Sequence, residues 1–155
     1  MLQLLTGEST RVMWQVMAGA GKTRIIAAAA IVARQYADLT GLTNMKIHIL
    51  IPNESLMGRD KDLTKDFRHF TGEIEFCHRL DQLKFTTNTV DILIVDEADE
   101  LILNDPVDFH KRTANCRSLC FSATSGKGDE YEGALIKRLG FTVQTYGQGN
   151  QRSDY

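Results

Sequence analysis

The stretch MAGAGKTR (17–24) holds the residues whose types and spacing most clearly suit chemistry. A tight loop between a strand and a helix can turn several backbone N–H groups toward one anion, and the helix N-terminus adds its dipole. Gly19 and Gly21 stand where a side chain would block that approach, with Ala18 and Ala20 between and before them as small neighbours. Lys22 has the reach to meet outer phosphates, Thr23 can offer a hydroxyl to a magnesium ion, and Arg24 follows, pointing along the helix. The alternative is a glycine-rich turn before a helix whose Lys22 is merely solvated.

A second group lies farther on, around LIVDEADE (93–100), where four apolar residues (92–95) run directly into adjacent acids. This describes a strand that ends by presenting carboxylates at its carboxyl edge, where the magnesium of a nucleotide needs hard oxygen ligands. Asp96 is the predicted metal-holding carboxylate, acting through water, and Glu97 the group that polarises or deprotonates an attacking water. An acidic helix N-terminus, with Asp96 as its cap, is the competing reading.

These residues need elements to hold them, and the chain supplies an alternation of strands and helices. RVMWQVM (11–17), KIHILI (46–51), EIEFCH (73–78), VDILIVD (90–96), RSLCFSA (117–123) and FTVQTY (141–146) read as strands. Helices are predicted over 22–37, over 55–70 with Ser55 as N-cap, and over 129–139, where Gly140 stops the last one. The alternation predicts an α/β fold: a parallel sheet with helices on both faces and ligands beyond the carboxyl ends of the strands.

The bulk properties set limits on this reading. A chain of 155 residues with interspersed charges and a formal net charge of −2 suggests one domain and offers no global footprint for a polyanion. We assign 1–146 to that domain and the polar 147–155 to a tail or linker. Cys77, Cys116 and Cys120 show neither zinc spacing nor a disulfide framework, the longest apolar run (25–33) is short of a membrane span, and Met1 is not followed by a basic leader. A cytoplasmic setting is expected. His48, His69 and Trp14 are expected to be structural or solvated.

Taken in order, AGAGKT, VDEAD and FSATS resemble motifs I, II and III of the superfamily 2 helicases, including the D-E-A-D form, across residues 16–125. Val16 stands where the helicase-type first motif has alanine. The resemblance implies a RecA-like P-loop NTPase domain binding ATP and Mg2+, with Lys22, Asp96 and Glu97 catalytic and Thr23 and Asp96 at the metal. It also implies that Ser122, Ala123 and Thr124 couple hydrolysis to domain movement, and that a second RecA-like domain supplies arginines in the full-length chain or in trans. ILIPNESLMGRD (49–60) sits at motif Ia with Asn53, Glu54 and Ser55 in place of Thr-Arg-Glu, so RNA or DNA remains one cargo among others. Gln3 lies nearer Lys22 than an adenine-reading glutamine would in that family.

The runs IPNESLMGRD, DEADELILNDP and TSGKGDEYEGALIKRLGFTVQTY are also similar to the first nucleotide-binding domain of the SecA preprotein translocase motor. That resemblance implies polypeptide cargo with the same nucleotide chemistry. Without its second domain the chain is expected to hydrolyse ATP slowly, as an excised part of a longer motor. A non-catalytic interaction module that kept the fold is the remaining alternative. The segment HKRTANCR (110–117) is expected to be a solvated loop or a small basic patch.

Overall fold

A computed structural model describes residues 10–16, 22–41, 46–51, 74–77, 79–82, 91–114, 116–123 and 130–146. The predicted helix at 55–70, with Ser55, and the tail at 147–155 lie outside them, as do Gln3 and His69. The described elements are β1 (Arg11–Val16), α1 (Lys22–Thr40), β2 (Ile47–Leu50), β3 (Ile74–Cys77), a single helical turn (Leu80–Gln82) and β4 (Ile92–Val95). After them come α2 (Ala98–Asn104), α3 (Pro106–Thr113), β5 (Arg117–Ala123), α4 (Glu130–Arg138) and β6 (Thr142–Tyr146).

The six strands form one sheet in the order β3-β2-β4-β5-β1-β6, and every pairing is parallel. Parallel sheets are covered on both sides, so their central strands are apolar throughout rather than alternating. Ile92–Val95 of β4 and Ile47–Leu50 of β2 are buried at every position. Side-chain alternation divides the core in two. Val12, Val16, Ile47, Ile49, Ile92, Ile94, Leu119 and Phe121 pack against α1, while Met13, Leu50, Leu93, Val95 and Cys120 pack against α2, α3 and α4. The fold is therefore α/β with helices on both faces, as the alternation predicts.

Helix α1 lies close to its face because its inward positions are small: Ala27, Ala29, Ala30, Ala33 and Ala37 are all buried. It runs three residues past its predicted end at 37 and stops where Gly41 takes φ 79°. Gly140 ends α4 as predicted, at φ 91°, with its N–H bonded to the Lys137 carbonyl at 3.0 Å and the Phe141 N–H bonded to the Ile136 carbonyl at 3.3 Å. This left-handed closure satisfies carbonyls that the last turn leaves open.

One expectation is corrected. His110–Thr113 form the last turn of α3 rather than a solvated loop, and Thr113 and Cys116 are buried. The Asp105 side chain accepts from the Asp108 N–H at 3.0 Å, Pro106 opens the helix, and Arg112 grips Asp108 one turn back at 3.0 and 3.2 Å. His48 and Trp14 take structural positions: His48 is buried, and the Trp14 Nε1–H donates to Gln144 Oε1 at 2.6 Å while its ring meets Phe121 edge-on. Among the described residues, no helix is long and apolar enough to cross a membrane.

Candidate functional site at the carboxyl edge of the sheet

Because all strands are parallel, their carboxyl ends share one edge of the sheet. Strand β5 lies between β1 and β4, and the register sets Val16 beside Ala123, Gln15 beside Ser122 and Val95 beside Cys120. The ends of β1 and β4 are thus two strand spacings apart, about 10 Å. From β1 the chain passes to α1 on one face, whereas β4 and β5 lead into helices on the other. Strands whose connections leave to opposite faces open a crevice between them, the place where ligands bind in sheets of this kind. By that rule the place for such a crevice is between β1 and β5.

Each predicted site residue can be set against this frame. Lys22 and Thr23 are the first two residues of α1, immediately after the segment that follows β1. The roles of their side chains, and Ala18, Gly19, Ala20 and Gly21 altogether, lie outside what the structure describes. Arg24 is exposed on the first turn of α1. Ser122 is buried in β5, Ala123 ends that strand, and Thr124 lies outside the described residues. Lys22, Asp96 and Ala123 accordingly end or begin elements at a single edge.

Asp96 follows β4 directly and is fully buried, and its N–H donates to the Leu50 carbonyl at 2.9 Å, extending the pairing with β2 by one step. Ile92 and Ile94 face α1, so alternation carries position 96 to the α1 side of the sheet. Glu97 turns the chain into α2. It adopts φ 53° and ψ 42°, the left-handed region, and among the described residues no other non-glycine has a positive φ. An L-residue pays roughly 1–2 kcal/mol to sit there, and such positions persist where the surroundings dictate them, often at functional sites. Glu97, not Asp96, occupies the N-cap position of α2, and it makes no side-chain capping bond. Asp96 is therefore not the N-cap, although Asp99 and Glu100 do set acids in the first turn of α2, as the competing reading expects.

Two features escaped the sequence. The left-handed backbone of Glu97 leaves no trace in residue type, since glycine or asparagine is the usual signal for it. Gln15 is signalled only as a polar residue near the end of an otherwise apolar strand. It is half-buried beside Ser122, on the face opposite α1. No family model matches the chain, and no curated protein matches it.

Proposed function

We propose that the chain is an ATP-binding motor domain of the superfamily 2 helicase and translocase type, with a RecA-like fold. It binds ATP with magnesium and turns it over slowly unless a second such domain completes the site. The observation that carries this reading is the buried Asp96 at the end of β4, followed at once by the left-handed Glu97, on the sheet edge where α1 begins. The topology adds support, because the connections part between β1 and β5 and the glycine-containing segment 17–21 follows β1 in sequence.

The donor chemistry fits magnesium. Carboxylate and hydroxyl oxygens, from Asp96 and Thr23, are hard ligands, and this ion is ordinarily held by one or two carboxylates, with phosphate and water filling the remaining positions. Among the described residues no group of three or more His, Cys, Asp or Glu is arranged to hold a metal. An ion bound mainly through phosphate and water needs none. When bound, magnesium neutralises charge on the phosphate oxygens.

The remaining work falls to the chain's own groups. Backbone N–H groups before α1 and the Lys22 ammonium bind and orient the outer phosphates. Glu97 orients a water molecule and accepts its proton as that water attacks the terminal phosphorus and the bond to the bridging oxygen breaks, releasing ADP and phosphate. Ser122 and Ala123, at the end of the strand between the two, and Thr124, next in sequence, couple that event to domain movement. An arginine from a second domain would add to the charge stabilisation that Lys22 supplies, and turnover is expected to be slow where that domain is not engaged.

A single-turnover assay with radiolabelled ATP tests the reading. Glu97→Gln should keep ATP affinity within about twofold and lose at least 100-fold in the hydrolysis rate, within the usual range for a general base. Unchanged hydrolysis in that variant would contradict it.

A further inference from the structure

Helix α1 is apolar on the side turned away from the sheet as well as on the side that meets it. At about 100° per residue, Ile25, Val32 and Leu39 fall along one outward line, with Ala28 and Tyr36 to either side of it. Leu39 is 88% exposed and Val32 45% exposed; Ala28 is exposed, and Ile25 and Tyr36 are half-buried. Single exposed apolar residues are ordinary, but this line runs for about 21 Å where a solvated helix carries its charges. Gln35, beside it, is polar and uncharged. Charges stand only toward its two ends, on one flank. Arg24 is exposed on the first turn, and Asp38 keeps 62% of its side chain exposed while its Oδ1 accepts from Arg34 Nη2 at 3.3 Å.

We infer that this face docks a second copy of the chain, α1 against α1 in antiparallel orientation, about a two-fold axis at Val32. The order of residues about Val32 selects this occupant. A two-fold axis there brings each residue level with the one equally far on the other side: Ile25 with the partner's Leu39, Ala28 with the partner's Tyr36, and Val32 with its own equivalent. Residues brought level lie on opposite flanks of the line, so each pair fills one layer side by side, and the small alanine shares its layer with the large tyrosine. Arg24 and Asp38 stand two heptads apart and therefore on the same flank, where the same axis brings the cation of each copy toward the carboxylate of the other. A parallel pair would set like charges together at both ends. Burial of Leu39 and Val32 drives the contact, and the charges fix its orientation. An interface of this length belongs to the small class, under about 1,200 Å², which associates weakly and reversibly. Nucleotide plays no part in it.

Sedimentation velocity on the full chain without nucleotide reads the association between about 1 and 200 μM. The wild type should pass reversibly from monomer to dimer across that range. Leu39→Glu and Val32→Glu, at positions the fold leaves exposed, should each weaken association at least tenfold, with far-ultraviolet circular dichroism reporting that the variants are folded. Orientation is read by mild oxidation of a chain carrying Arg24→Cys and Asp38→Cys together. The two positions are about 21 Å apart along one helix, out of reach of a disulfide within the chain, and should join two copies through a bond from position 24 of one to position 38 of the other. Either substitution alone should cross-link no more than the wild type. Three results would overturn the inference: a monomer at every concentration, association unchanged in both glutamate variants, or cross-linking by either single cysteine substitution as complete as by the pair.

Discussion

The two edges of the sheet both bury polar groups, and they bury them differently. At the amino edge the groups are tied to one another across long sequence distances. Arg11 Nη2 donates to Thr113 Oγ1 at 3.2 Å and its guanidinium lies 5.3 Å from the Phe141 ring centre; His48 Nε2 sits 3.5 Å from Asp91 Oδ2; and the Lys46 N–H donates to Asp91 Oδ1 at 3.1 Å. The backbone there is relaxed. At the carboxyl edge, buried Asp96 is followed by a residue in the left-handed region, at the end of the strand that neighbours β5, where the connections of β1 and β5 part. Burial of a charged group thus does not by itself identify a site. Buried groups paired with one another across the sheet read as a lock on the fold, and a left-handed backbone at the carboxyl edge reads as a place kept for chemistry.

The largest effect that would sharpen this contrast is expected at the amino edge. Asp91→Ala removes a fully buried carboxylate that His48 and the Lys46 N–H both face, and should cost about 3 kcal/mol of stability in urea unfolding. Among folded molecules, ATP affinity should be unchanged. A loss of affinity in the folded fraction would break the division between the edges.

The same edge predicts a pH dependence. Burial pushes the Cys116 thiol up from 9.0 to about 11; hydrogen bonding to Ser118 and the nearby Arg11 charge pull it back in part. Burial likewise raises Cys120 and lowers Arg11. A thiol that ionises later in the folded chain than in the unfolded one favours the fold below the unfolded value and loses that contribution as pH rises. Between pH 9 and 11 the unfolded chain binds fewer protons, so stability should fall, by on the order of 2 kcal/mol from Cys116. Cys116→Ala should reduce that slope in unfolding measured across the window, leaving the part that Cys120 contributes.

At the carboxyl edge the effects should be on ligand before stability. Asp96→Asn should lower ATP affinity about tenfold in the presence of magnesium and little in its absence, as titration calorimetry would read. Smallest of all, Glu97→Gly removes the Cβ that makes φ 53° costly, at the expense of a more flexible unfolded chain. It should leave stability unchanged or raise it by up to about 1 kcal/mol while hydrolysis is lost. A clear loss of stability would mean that the left-handed turn is upheld by the Glu97 side chain itself.

Much of the fold was legible because its strands are short apolar runs bounded by turns, and because Gly140 stops a helix in the way its backbone freedom allows. The α2–α3 pair was hidden, since its acids looked like ligands and its basic end looked like a loop; only the Asp105 cap and Pro106 signalled a helix start. Strand order was not legible either. Nothing local to Arg11 says that it meets Thr113, 102 residues away, or that β5 separates β1 from β4. For the candidate site, residue types gave Asp96 and Glu97 as acids at a strand end. Tertiary packing decided that one is buried and the other turned left-handed.

The central claim is tested most directly by calorimetric titration of the chain with ATP, with and without magnesium, in the wild type and in Lys22→Ala. The account predicts magnesium-dependent binding to the wild type and its loss in a folded Lys22→Ala. Binding retained by that variant, or no binding to a folded wild-type chain, would contradict it.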